Sequence, residues 1–453
     1  MRIEKIKSEG VAHLSYMVID GQAAAVIDPR RDIDVYLENA RRHGANITHV
    51  FETHRNEDYV VGSRSLAEVT GATVLHGQAG RVDHAQPVTD GEHFDIGKAR
   101  LGVLETPGHT LDSISLTLAD RDFGDAPVAV FTGDTLFIGD VGRTDFYPER
   151  REEMAGKLYD SLFDNLLPLG DGVQLYPAHG AGSVCGSGMA EREFSTLGYE
   201  RRCNPMLQLD RNAFIRTKSQ EHHYQPPYFR RMEALNDRGV EHDALPRPRA
   251  LPPGPFAERC SDDMTVLDLR TPEAFCGAHI PGSLSMPTAV APGYIGWLVS
   301  YDTPLGLVLD DDADLDRALR ELYRLGYDRV EAYLTPGMTA WEASGADYAV
   351  VPTIAASTLK QRYEQGEDFV LLDVRGIEEY EAGHLPDAMH VYLGHLPDRL
   401  DELPRGIPIV TFCGSGKRAA VAASLLKRHG FDQVENCLGS MAACQAVGCR
   451  ITD

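Results

Sequence analysis

The stretch ETHRNEDYVVG, residues 52–62, decides the fold. An apolar and β-branched run, Ile47-Thr48-His49-Val50-Phe51, leads into it and reads as a strand that ends in a polar loop. The loop has the outline of a di-metal ligand loop, Thr-His-x-His-x-Asp-His, with two histidines replaced. Asn56 stands at the second histidine position and Tyr59 at the third. The loop is either a decayed metal site or one rebuilt for a different metal.

Three further strand-and-loop segments lie outward from it. AAVIDP (24–29), RLGVLETPGH (100–109) and PVAVFTGD (127–134) are short apolar runs that end in polar residues. Folds of α/β type place their chemistry at the carboxyl ends of strands. His54, His109 and Asp134 each fall at such an end, and His179 follows in YPAHG (176–180). One histidine at a strand end is usually only a hydrogen-bonded residue, but three such strand-end motifs in order, at His54, His109 and Asp134, argue for ligands. Two histidines and one carboxylate are the donor set of mononuclear non-haem Fe(II) sites, which leave coordination positions open. Residues 151–166 and 189–200 are expected to be helical.

The order and local motifs of His54, His109, Asp134 and His179 resemble the metallo-β-lactamase superfamily over about the first 200 residues. The resemblance implies an αββα sandwich. Members that hydrolyse esters or thioesters hold two zincs, and Asn56 and Tyr59 each remove a ligand from that arrangement. The resemblance therefore implies one Fe(II) on His54, His109 and Asp134, with a single zinc as the alternative. Asp58 and His179 are expected to hydrogen-bond around the site. GDVGRTDFY (139–147) resembles the persulfide dioxygenase branch, which implies a thiol persulfide and O₂ as substrates and sulfite as product. Arg143 is then the expected substrate-side residue. Asn56 departs from that branch, which keeps the second histidine.

At 453 residues the chain is too long for one ordinary core. A net charge of −24 argues against nucleic acid and anionic membranes as partners. An anionic substrate would need locally gathered basic residues. No apolar run is long enough to span a membrane, and MRIEKIKSEG has no secretion-signal core. Eight cysteines form no disulfide framework, so a cytoplasmic location is expected.

The Pro-rich stretch RPRALPPGPF (247–256) is the expected domain boundary. An internal repeat follows it: VLDLRTPEAFCGAHIPGS (266–283) matches LLDVRGIEEYEAGHLPDA (371–388). Asp268, Arg270 and His279 correspond to Asp373, Arg375 and His384. The expected domains are 1–245, 255–347 and 352–453.

In PIVTFCGSGKRAAVAASLLKRHGF (408–431) a strand runs through a tight loop into a helix. Gly414 and Gly416 allow backbone N–H groups, with Ser415, to cradle the sulfur of Cys413. Lys417 and Arg418 add positive charge at the helix start. With DVR and GHLPDA, this loop resembles a rhodanese, which implies a Cys413 persulfide intermediate in sulfur transfer. The fold class is thus α/β and multidomain: the sandwich, then two rhodanese-like domains with parallel sheets. In the first copy Leu309 takes the place of Cys413, in the acidic stretch LDDDADLD (309–316), so that copy is expected to be inactive. Cys203, in YERRCNPML (199–207), is either an ordinary partly buried residue or a sulfur relay. Cys185, Cys260, Cys276, Cys437, Cys444 and Cys449 are expected to be buried structural thiols.

The expected function is a persulfide dioxygenase joined to a sulfurtransferase that can form thiosulfate, in sulfide detoxification, as a homo-oligomer. One rival is a mononuclear-zinc hydrolase of the glyoxalase II type. The other is a non-enzymatic persulfide-sensing scaffold.

Overall fold

The structure, a computed structural model, describes residues 1–8, 10–182, 188–260 and 264–452. Its first compact unit is Met1–Ala244 with the short stretch Tyr323–Gly326. The second takes Leu245–Leu322 and the chain from Tyr327 onward.

Two sheets build the first unit. One is β1 (Arg2–Ser8), β2 (His13–Asp20), β3 (Ala23–Ile27), β4 (Asn46–Glu52), β5 (Thr73–Gly77) and β6 (Gln86–Val88), in that spatial order. The other comprises β7 (His93–Ile96), β8 (Ala99–Glu105), β9 (Ile114–Asp120), β10 (Pro127–Gly133) and β11 (Gln174–Pro177), ordered β11-β10-β9-β8-β7. Alternation along each strand decides what each face meets. In β2, Tyr16 and Val18 join Phe51, Leu101, Leu116 and Phe131 between the sheets. Met17 and Ile19 face the other way, against Tyr36 and Leu66 of the helices Asp34–His43 and Ser63–Thr70. On the far side, Val130 and Leu175 pack against Leu158, Leu162 and Phe214. Each large side chain buried this way stabilises the fold by about 1.5–3 kcal/mol. The layers are those of the expected αββα sandwich.

The expected helix at 151–166 forms as Arg151–Asp160, continued by a wider turn at Ser161–Leu166. The one expected at 189–200 is corrected: helix begins only at Leu197 and runs to Cys203. Residues 195–196 are instead held extended on the sheet edge, where Leu175 N–H donates to Ser195 O at 3.0 Å and Gln174 bridges Thr196. Thr196 then caps the helix by accepting from Tyr199 N–H.

The second unit holds two five-stranded sheets, each wholly parallel. The first has β12 (Arg249–Leu251), β13 (Thr265–Asp268), β14 (Leu284–Ser285), β15 (Leu305–Val308) and β16 (Val330–Leu334), ordered β12-β16-β15-β13-β14. The second has β17 (Thr353–Ile354), β18 (Val370–Asp373), β19 (Met389–His390), β20 (Ile409–Phe412) and β21 (Val434–Cys437), ordered β17-β21-β20-β18-β19. The two orders are the same, so the sequence repeat is a repeat of topology. The repeated residues also do the same work. Arg270 pairs with Asp268, and Arg375 with Asp373, each at 2.7 Å. His279 stacks on Phe275 at 3.9 Å and His384 on Tyr380 at 4.0 Å.

The Pro-rich stretch is not a linker throughout. Arg249–Leu251 is an edge strand and Pro253–Cys260 a helix, positions where proline costs no ladder or helix hydrogen bond. Among the described residues no helix is long and apolar enough to cross a membrane.

Candidate metal centre and thiol loop

The strand ends of both sheets deliver the metal candidates. His54 follows β4, His109 follows β8, and Asp134 directly follows β10. Gly133, with φ of +52°, lets this happen: a Cβ there would lie 2.5 Å from Thr53 Oγ1. One donor atom from each of His54, His109 and Asp134 falls within 4.8 Å of the others, and all three residues are buried. His109 Nε2 stands 3.5 Å from Asp134 Oδ2, and His54 Nε2 3.7 Å from the same oxygen. His109 Nε2 and Asp134 Oδ2 are buried without hydrogen-bond partners. Buried polar atoms are almost always satisfied, so two orphans aimed at one point fit a cation.

The other ring nitrogens are anchored, which fixes the donor tautomer. His109 Nδ1 donates to Arg143 O at 3.0 Å. His54 Nδ1 donates to Thr53 Oγ1 at 2.9 Å, and that hydroxyl donates to Asp28 Oδ2 at 2.8 Å. Burial pushes His109 down to about 3, so the imidazole is neutral and its Nε2 lone pair available. Burial also pushes the Asp28 carboxyl up to about 6, against the hydrogen bonds from Thr53.

His179 and Asp58 stand as an ion-paired chain behind Asp134. His179 Nδ1 donates to Asp134 Oδ1 at 2.7 Å, and its Nε2 lies 3.1 Å from Asp58 Oδ2. Burial alone would lower the His179 pKa, but the two carboxylates outweigh it and hold the ring charged. Burial likewise opposes ionisation of Asp134, yet the neighbouring His179 and His54 keep its carboxyl well below the usual range.

Neither substituted position supplies a ligand. The buried Tyr59 ring lies tilted against His13, with ring centres 4.1 Å apart, and burial raises its phenol well above the ordinary value. Asn56 turns its Nδ2 to His54 O at 3.3 Å. Arg143 differs from expectation. Its guanidinium is 1% exposed, paired with Asp145 at 2.6 and 2.7 Å and stacked over Phe146. Its charge is already balanced, and what it gives the site is its carbonyl. Asp28 and Thr53 were not singled out in the sequence, although VIDP is itself a strand end carrying a carboxylate.

In the second unit Cys413 follows β20 and is fully buried. Gly416 N–H donates to its Sγ at 3.1 Å. Gly416 has φ of +94°, and a Cβ there would meet Gly439 N at 3.1 Å, so the loop needs glycine. Ser440 Oγ accepts from Cys413 N–H at 3.1 Å, and Cys413 O accepts from Met441 N–H at 3.0 Å. Gly414 is half-buried, while Ser415 and Lys417 are exposed. Arg418 makes a two-pronged pair with Glu379 at 2.6 and 2.7 Å, a partner the sequence did not reveal. In the first copy Leu309 is buried at the end of β15, and the carboxylate of Asp311 caps a short turn.

Cys276, Cys437 and Cys444 are buried as expected; Cys260 and Cys449 are only half-buried, and Cys185 lies outside the described residues. Cys203 is exposed at the end of its helix, not partly buried.

With this geometry, residues 9–183 match the metallo-beta-lactamase superfamily and residues 355–446 match the rhodanese-like domain. The chain joins a metallo-beta-lactamase domain to a C-terminal rhodanese domain. The family match names one rhodanese domain, at the second copy of the repeat. A hydroxyacylglutathione hydrolase of Rhodospirillum rubrum is 37% identical over 145 residues, 31% of this chain and 51% of that protein. The mitochondrial persulfide dioxygenase ETHE1 of Bos taurus is 28% identical over 194 residues, 41% of this chain and 68% of that protein. The chain spans about half the length of the first curated relatives it matches. A metallo-beta-lactamase structure from Staphylococcus aureus subsp. aureus COL matches with a TM-score of 0.66 at 29% identity, covering 74% of this chain and 98% of that one.

Proposed function

We propose that the chain is a persulfide dioxygenase coupled to a Cys413 sulfurtransferase, acting in sulfide detoxification as a homo-oligomer. The observation that carries this reading is the ligand set: two histidines and one carboxylate converge, while Asn56 and Tyr59 are turned to other tasks. Such a set suits one Fe(II) rather than two zincs. Iron held by His54, His109 and Asp134 would supply the one-electron chemistry that O₂ requires. The overall reaction balances as RSSH + O₂ + H₂O → RSH + SO₃²⁻ + 2H⁺. The chain's own part is to keep both imidazoles in the donor tautomer through Arg143 O and Thr53, and to keep Asp134 ionised through His179.

At Cys413, the thiolate takes the outer sulfur of a second RSSH, releasing RSH, and sulfite then attacks the outer sulfur of the cysteine persulfide. The S–S bond breaks, thiosulfate leaves, and the electron pair returns to Cys413 Sγ, where Gly416 N–H stabilises it. The first copy of the repeat is read as a rhodanese-like domain without a thiol. Tethering the two active domains raises the local sulfite concentration at Cys413. The test is the early product ratio from persulfide and O₂. Cys413→Ser is expected to keep consuming O₂ and to shift the product from thiosulfate to sulfite. An unchanged ratio would remove the coupling, and loss of O₂ uptake would reverse the order of the two steps.

A further inference from the structure

The two loop positions that lack histidine, Asn56 and Tyr59, are tied together by one side chain from late in the domain. Asn236, on the helix Phe229–Arg238, is 5% exposed. Its Nδ2 donates to Asn56 O at 2.7 Å and to Tyr59 O at 2.9 Å. Its Oδ1 accepts from Val61 N–H at 2.9 Å. A carboxamide has two N–H donors and one acceptor oxygen, and here each is in use.

The tie acts on both branches of the metal site. The two carbonyls bracket Asp58, whose carboxylate pairs with His179 and through it reaches Asp134. In the other direction, Asn56 Nδ2 donates to the carbonyl of His54. Between the tied carbonyls lie Glu57 and Asp58, two adjacent acidic residues each 3% exposed. No histidine ligands at 56 and 59 pin this segment to a metal, so its carbonyls are held by the Asn236 amide instead.

We propose that Asn236 is a positioning residue for the metal centre, its amide replacing the cross-link that histidines at 56 and 59 would make through a metal. The inference rests on the reading of His54, His109 and Asp134 as ligands. It assigns the helix Phe229–Arg238 a role in holding the metal as well as in packing.

The experiment uses the full chain and Co(II) as probe, with binding by titration, loss to a chelator by stopped flow, and the visible absorption spectrum. Asn236→Asp keeps the size and the acceptor for Val61 but loses both donors, and Asn236→Ala loses all three bonds. Both are expected to lose Co(II) at least about tenfold faster than wild type, with an altered spectrum. Met232→Ala, a truncation of a fully buried residue on the same helix, controls for plain destabilisation. It is expected to keep the wild-type spectrum and loss rate within about threefold. Folded Asn236 variants that match wild type, or a Met232 variant that matches them, would overturn the inference. A measurement without substitution stands if the variants do not fold. Co(II) loading of wild type is expected to slow hydrogen exchange at the Val61 amide, and an unchanged rate would overturn the inference. Failure of wild type to take up Co(II) at all would instead remove the ligand reading beneath it.

Discussion

The backbone carbonyl of Arg143 accepts the Nδ1 hydrogen of His109 at 3.0 Å, while the guanidinium of the same residue is locked onto Asp145. Arg143 is therefore tied to the candidate metal centre through its main chain. Arg143→Ala is expected to cost about 3–5 kcal/mol, because it leaves the buried Asp145 carboxylate without its partner. Metal retention should fall as the 143–146 segment loosens. Arg143→Lys should lose less, since it keeps the charge but not the two-pronged geometry. Urea denaturation followed by far-UV dichroism, with metal content measured alongside, checks this. A folded, metal-replete Arg143→Ala protein with only a raised KM for persulfide would return Arg143 to the substrate side.

His76 makes the first unit's stability depend on pH. Its Nδ1 lies 3.1 Å from Glu52 and its Nε2 2.8 Å from Asp112. Burial alone would lower its pKa, but hydrogen bonds to Asp112 and Glu52 outweigh burial and raise it from 6.5 to about 10. A raised histidine contributes in full below pH 6.5, and its contribution is lost as pH rises through about 10. Glu52 is held down from 4.5 to about 2 despite burial, so its share is present above 4.5 and lost as pH falls through about 2. Protection of β4 amides in hydrogen exchange should be highest near pH 5–6 and decline from 6.5 towards 10, with a flatter decline in His76→Gln. Fluorescence cannot substitute, since Trp297 and Trp341 both lie in the second unit.

The strand-end metal candidates were legible because a strand running into His or Asp is a local pattern. His54, His109 and Asp134 each carry it, and the sheets then bring them together. The repeat was legible for a similar reason: Asp268 with Arg270 and Asp373 with Arg375 are neighbours in sequence as well as in space. What stayed hidden depends on contacts between distant segments. Asn236 lies far along the chain from the loop it holds, and Glu379 far from Arg418. The Arg143 motif was read for its charge, but Asp145, only two residues on, consumes that charge. The helix expected at 189–200 failed because a sheet edge claimed residues 195–196.

The first copy of the repeat should not become a sulfurtransferase by gaining a thiol. Leu309→Cys, made with Cys413→Ser, would place the thiol beside Asp310, Asp311 and Asp312. Carboxylates and burial both favour the neutral thiol over the reactive thiolate. Thiosulfate–cyanide transfer is expected to stay at background. Appreciable transfer would mean that the acidic loop is not what silences this copy.

Oxygen uptake by the metal-loaded chain tests the central claim most directly. An oxygen electrode compares Fe(II)-loaded and Zn(II)-loaded protein on addition of a low-molecular-weight thiol persulfide, with His109→Ala as control. The predicted result is about one O₂ consumed per persulfide with iron, none with zinc, and none in His109→Ala, whose Cys413 sulfurtransferase activity survives. Thioester hydrolysis by the zinc form, with no oxygen uptake by the iron form, would contradict the account.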